Sequence, residues 1–428
     1  MLDVTLGLAL ALCAACDQAP ARRAPEAADV SAPPPAHRAG PAYLAVDHAG
    51  VLRLDDGGFT RVLAHRFPIR SLAIAPDGAL LVAAIGGAWR LDGPRIERLT
   101  PPGHLPLERI TAGPDGVVWA TDRRSVWRWD GRWAEEPAAT FDGALVDDLA
   151  VDARGHVWVV QAAALWRLAG DGWHQVDLAF TGTTTPFLSA IRIAPDGAPI
   201  VGGQAGVFAY RDGAWRDLAL PHGSLGADEL EVGPAGHLAT SGGLRSIVLA
   251  APTGRVRALD LADGPMAARR GDVLAVDGAG RTWLTTDEGL LVLDADGGVL
   301  TQWRPGTVPD VIGRVTAVAV VDDGPTLPAP GPARTGTVTG TLPAATAAVV
   351  ELCDRPLPVF TTSPCDGATR MYRATVARDG AFTITGVPAG SYGLAVRTAR
   401  GWVLPTEPDC CTQLATDDRV DLGRLSVR

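Results

Sequence analysis

The side chains best suited to moving protons or holding metals are thinly spread in this sequence. Histidine occurs eight times in 428 residues. Seven of these, His48, His65, His104, His156, His174, His222 and His237, are scattered with no H-x-E or H-x-x-H pair among them. A zinc centre or a paired acid and base would need such neighbours. His156 and His237 each directly follow a turn glycine, which points to a shared structural role. Asparagine is absent, so no Asn carbonyl can ligate a metal and no N-glycosylation acceptor exists. No G-x-S-x-G elbow, Walker-type loop or dinucleotide fingerprint occurs in a strand-to-helix context. The sequence thus designates no catalytic residue, no metal and no cofactor. What remains is a candidate ligand-binding rim of His104, Arg123, Arg124, His222, Arg269 and Arg270, which read equally well as solvated loop positions. A formal charge of −10 and a pI near 5.3 argue against a nucleic-acid partner, which would need a basic face to neutralise phosphates.

The rim residues lie between copies of an internal repeat. SLAIAPDGALLVAAIGGAWRLDG begins at Ser71, ITAGPDGVVWATDRRSVWRWDG at Ile110, LAVDARGHVWVVQAAALWRLAGDG at Leu149 and IRIAPDGAPIVGGQAGVFAYRDG at Ile191; weaker copies begin at Leu230 and Leu274. The turn glycines Gly78, Gly116, Gly155, Gly197, Gly236 and Gly280 recur at the length of one four-stranded blade, roughly 40 residues. Eleven of the 12 Trp fall at repeated strand positions, which predicts packing between blade faces. Residues 42 to 63 match the second to fourth strands of a blade with no first strand before them, and residues 315 to 324 match a first strand with nothing after it. The two fragments complete each other. The expectation is an all-β chain: a seven-bladed β-propeller over residues 41–324, its closing blade composite, followed by a β-sandwich. Recognition is expected in the blade-to-blade loops, which vary while the strands repeat. Deletion before Val315 should destabilise the ring, and deletion after Thr326 should spare it.

The D-x-x-G-x-(L/V)-W pattern, fullest in ITAGPDGVVWAT, resembles the two-component-regulator type of propeller repeat and the related streptogramin-lyase-like and NHL-like repeats. The resemblance implies a fold, not an activity, since such propellers host sensors, adhesins and enzymes. Enzymatic propellers of the lyase and lactonase kinds use His and Glu, or carboxylates and Asn around a divalent metal. The lactonase-like set cannot be completed without Asn.

After a Pro-rich linker at 325–335, residues 336–428 change character. The run Asp379 to Tyr392, D-G-x-F-x-I-x-G-V-P-A-G-x-Y, resembles the carboxypeptidase-regulatory-like, or transthyretin-like, β-sandwich, a resemblance that implies a spacer or attachment role. Two strands joined through Gly386 to Gly390 would turn Phe382, Ile384 and Leu394 inward. Cys353, Cys365, Cys410 and Cys411 all fall here, and four cysteines in an exported module read as two disulfides. A bond between Cys410 and Cys411 would close a strained ring, so each is expected to bond back to Cys353 or Cys365. Spacings of 12 and 1, with no His in the module, fit no common zinc pattern.

Residues 4 to 15, VTLGLALALCAA, are apolar but too short to span a bilayer, as a signal-peptide core is. The segment runs to Cys16 in a pattern that resembles a bacterial lipobox, which implies cleavage there and lipidation of Cys16. Residues 17–40 are Pro and Ala rich, as a tether should be. The sequence expectation is a non-enzymatic, lipid-anchored protein of the bacterial cell envelope, periplasmic or surface-facing, whose propeller binds an unknown protein, small-molecule or glycan ligand in a sensory-input or scaffold role. The alternatives are a lyase or hydrolase with a dispersed channel-mouth site, and a purely structural envelope component. Metabolic labelling with a radiolabelled fatty acid tests the anchor: the mature protein is expected to carry label, and Cys16→Ala to lose it.

Overall fold

The computed structural model describes residues 39–425 apart from 48, 66, 100–105, 137–144, 162–163, 171, 180–186, 222–226, 228, 243–244, 263–270, 287–288, 305–306, 308–313, 333, 344–346, 354–362, 367, 369, 405–411 and 415–418. The expected signal segment, Cys16 and all but residues 39 and 40 of the expected tether lie outside the described residues. No α-helix occurs among those described, and none offers a helix long and apolar enough to cross a membrane.

The repeats fold into four-stranded antiparallel sheets, here called blades, in the register their D-G turns imply. The innermost strands are Val315–Val320 in blade 1, Ile69–Ile74 in blade 2, Arg109–Ala112 in blade 3 and Asp148–Val151 in blade 4. Blades 5, 6 and 7 begin with Leu188–Ile193, Glu229–Val232 and Gly271–Val276. Each inner strand touches the next, and Val315–Val320 touches both Gly271–Val276 and Ile69–Ile74, so the described strands close a ring of seven. Blade 1 is composite as expected: Ala42 pairs with Val320 and Leu44 with Val318. Backbone hydrogen bonds at both ends continue the seam, from Asp47 N–H to the Arg314 carbonyl (2.9 Å) and from Val321 N–H to the Pro41 carbonyl (2.9 Å).

One turn device recurs seven times. Gly78, Gly116, Gly155, Gly197, Gly236, Gly280 and, in the composite blade, Gly324 all have φ between 71° and 86°. Glycine reaches this left-handed region without a Cβ penalty. In two blades the Asp of the motif organises the turn and the following Trp. Asp152 Oδ1 accepts the N–H groups of Arg154 (2.9 Å) and His156 (3.0 Å), while Oδ2 accepts the Trp158 indole N–H (3.0 Å) and faces His156 Nδ1 (3.0 Å). Asp277 repeats the pattern on Arg281 and Trp283. Burial pushes the Asp152 carboxyl up, but the donors from Trp158, His156 and Arg154 outweigh it and hold it below the usual range. His156 is thereby structural. The ring of His237 packs against Gly280 of the neighbouring blade, as the shared position of the two histidines implied. The Trp columns lie between blades: Trp119 of blade 3 packs with Leu149, Val157 and Val159 of blade 4.

The segment expected as a Pro-rich linker docks on the ring over residues 325–331. Arg281 Nη1 donates to the Pro325 carbonyl (3.0 Å) and Nη2 to that of Asp323. Trp303 Nε1 donates to the Pro328 carbonyl (2.9 Å), Gly331 N–H to the Thr307 carbonyl (2.9 Å), and Leu327 packs on the Trp283 and Trp303 core. Proline lacks an N–H but keeps its carbonyl, so a Pro-rich stretch can dock as a row of acceptors.

Beyond it, the C-terminal strands form two sheets. In one, Thr335–Thr341 pairs antiparallel with Ala381–Pro388 and parallel with Arg419–Arg424. In the other, Ala347–Cys353 lies between Met371–Thr375 and Gly390–Thr398. Val338, Phe382 and Ile384 of the first sheet share a core with Val350, Leu352 and Leu394 of the second, so Phe382, Ile384 and Leu394 do turn inward. A disulfide joins Cys353 to Cys365 with Cα atoms 5.7 Å apart. This corrects the expected pairing of both with Cys410 and Cys411, which lie outside the described residues. The chain returns Cys365 to the end of the strand that carries Cys353, and the bond is buried against Ala395. Sequence spacing holds no record of that return.

Deletion after Thr326 is now expected to destabilise the ring by about 2 kcal/mol, from the lost Leu327 burial and the orphaned Trp303 indole. Deletion after Gly331 should retain those contacts. Denaturant unfolding of the two truncations against full-length protein checks this.

Candidate functional site

The ring of inner strands encloses a cavity of about 830 Å³ that opens on the axis of the propeller. The side chains around it follow from the repeat. Seven residues before the turn glycine stand Ser71, Arg109, Asp148, Ala190, Glu229, Val273 and Ala317; five residues before it stand Ala73, Thr111, Ala150, Arg192, Glu231, Ala275 and Ala319. In blades 7, 1 and 2 these positions hold small or apolar residues. All five charged ones belong to blades 3 to 6. Most sit at or near the beginning of an inner strand, the end at which chain arrives from the preceding blade.

These charges form a chain across blades. Asp148 is only 1% exposed at its side chain and is fully served: Oδ1 takes Leu149 N–H (2.9 Å) and Arg109 Nε (3.2 Å), and Oδ2 takes Ile191 N–H (3.1 Å) and Arg192 Nη1 (2.5 Å). Arg192 continues to Glu231 through Nε (3.0 Å) and Nη2 (2.6 Å). Burial works against the Arg192 charge, but Asp148 and Glu231 overcome it and raise its pKa well above the usual value. Two further pairs ring the mouth, Arg314 with Asp272 (2.7 Å) and Arg70 with Glu108 (3.7 Å).

Glu229 differs. Its nearest cation is Arg109 Nη2 at 3.8 Å, beyond hydrogen-bonding distance. About a third of its side chain remains open to the cavity (36%), yet the surrounding walls enclose it. Burial pushes its carboxyl up to about 7, against the opposing pull of Arg109 and Arg192 and with the repulsion of Glu231 and Asp148. A carboxyl poised near neutrality can donate as an acid or accept as a base.

Of the expected rim, only Arg123 and Arg124 are described. Arg123 lines the cavity, whereas Arg124 is exposed and does not. His104, His222, Arg269 and Arg270 fall outside the described residues, as do most of the blade-to-blade loops. None of the described lining residues is a histidine, and the described residues hold no cluster of three or more His, Cys, Asp or Glu able to bind a metal. The cavity charges were missed because recognition was sought in loops. Their signal was nevertheless present: Arg192 and Glu231 interrupt the apolar pattern in IRIAPDG and LEVGPAG at one and the same repeat position.

No family model matches the chain, and no curated protein does. Among solved structures, a streptogramin B lyase is similar at 16% identity and a TM-score of 0.46, covering 60% of this chain and 86% of that one. The extracellular domain of a putative hybrid two-component system from B. thetaiotaomicron is similar at 12% identity and a TM-score of 0.47, covering 83% and 57%. Virginiamycin B lyase from Staphylococcus aureus gives 16% and 0.46, covering 57% and 91%. The propeller is established by the strand pairing of this chain itself, and similarity at this level says nothing of activity.

Since the folded-state pKa of Glu229 lies above its unfolded value of about 4.5, the folded state favours the protonated form. That stability is present below the unfolded pKa and is lost as pH rises through about 7. Glu229→Gln is expected to unfold at a higher temperature than the parent at pH 8, and to differ less from it at pH 5. Calorimetry at the two pH values checks this, and a parent whose stability is flat between them would contradict it.

Proposed function

We propose that the chain is an exported binding propeller, tethered to the bacterial envelope through Cys16, that recognises a ligand at the mouth of its central channel in a sensory-input or scaffold role. The observation carrying this reading is the cavity itself, a space of ligand size lined by the inner strands and by charged side chains, with Arg123 exposed beside it and Glu229 only loosely paired. Charges that served only to staple blades together would have no reason to leave Arg123 and Glu229 directed at open space. The C-terminal sheets, fixed to the ring through the docked segment at 325–331, give the propeller an attachment module.

A second reading is favoured by Glu229 alone. A carboxyl held near 7 in a cleft suits general acid or base work, as a lyase or hydrolase would need.

Thermal-shift screening of the purified full chain against pools of metabolites, oligosaccharides and short peptides tests the first reading. Stabilising compounds are expected, with their effect lost in Arg123→Glu. Stabilisers that ignore both Arg123→Glu and Glu229→Gln would place recognition elsewhere, and turnover of a stabilising compound that is abolished by Glu229→Gln would favour the enzyme.

A further inference from the structure

The hydrogen-bonding capacity left over at the channel mouth specifies the charge of its ligand. Asp148 accepts four bonds, Glu231 accepts one from Arg192 on each oxygen, and Arg192 spends its guanidinium on both. Arg109 gives Nε to Asp148, while its Nη2 reaches only the distant Glu229. Arg123 is in the same blade: Thr121, the strand partner of Arg109, receives the Arg123 N–H on its hydroxyl (3.1 Å). The Arg123 carbonyl accepts Val146 N–H (2.6 Å), and these two anchors hold a non-glycine residue at φ 75°. Such a conformation has a cost, and persists where its surroundings fix it. Arg123 is exposed, lines the cavity and has no ion pair among the described residues. Blade 3 thus offers two arginine donor groups to one space.

We propose that the channel mouth binds a carboxylate, its anionic group held between the guanidinium groups of Arg109 and Arg123 beside Glu229. The inference rests on reading the mouth as a recognition site.

Affinity is tied to pH through Glu229. The groups facing it are Arg109 from blade 3, Asp148 from blade 4, Arg192 from blade 5 and Glu231 on its own strand; Asp272 and Arg314 add a paired acid and base at the same mouth. Glu229 rests near 7. Below that pH it is a neutral donor to the carboxylate, and above it a repelling charge.

Calorimetric titration of the full chain with 3-phenylpropanoate, 3-phenylpropylamine and acetate, at pH 6 and pH 8.5, tests this. The expected result is binding of the two carboxylates in preference to the amine, about tenfold tighter at pH 6. Arg123→Ala should weaken it about tenfold, and Glu229→Gln should keep the binding while removing its pH dependence. Preference for the amine, binding indifferent to Arg123→Ala, or no binding of any probe would each overturn the carboxylate assignment. The pool screen judges the recognition site independently of these probes.

Discussion

The pairing of Val315–Val320 with Ala42–Val46 is the contact on which everything else in the propeller depends. Each blade buries its faces against two neighbours, so an open array would expose two faces and an unpaired strand edge. The composite blade removes both. It also fixes the positions of the inner strands, and with them the only geometry in which Arg109 of blade 3 can approach Glu229 of blade 6. The channel chemistry is a product of closure, since no single blade contains it.

Within that frame, the same positions serve two purposes. Counted back from the turn glycine, they hold Ala, Ser, Thr or Val where the wall only needs to be narrow, and Arg, Asp or Glu where it carries charge. Buried charges are tolerated when hydrogen-bonded on every side. Asp148 meets that condition with two backbone N–H groups and two arginines. Glu229 does not, and its carboxyl responds by favouring the neutral form. The strap at 325–331 applies similar logic outside the ring, where the Trp303 and Arg281 donors are satisfied by carbonyls of a segment rich in proline.

Architecture was legible in the sequence because it is periodic. Turn glycines that need positive φ, the Asp and Trp around them, and the two half-blades all recur at fixed offsets, and each offset has a mechanical cause. Part of the site was equally periodic, in the charged interruptions at Arg192 and Glu231. The pairing of Arg109 with both Asp148 and Glu229 was not, because it depends on angles around the ring. Composition marked 325–335 as a Pro-rich linker but gave no sign that the carbonyls of Pro325 and Pro328 would accept from the ring. Cysteine spacing could not reveal the bond between Cys353 and Cys365, since separation along the chain does not say which cysteines meet.

Glu229 sits in a mouth whose walls favour its neutral carboxyl, and its approach to Arg109 is too long for a hydrogen bond. Carbon-13 NMR titration of glutamate-labelled full-length protein, with Glu229→Gln used to assign the resonance, measures this directly. A Glu229 carboxyl titrating near 7 is the result predicted. A midpoint in the ordinary glutamate range, about 4.3, would mean that the wall is open to water, and would contradict it.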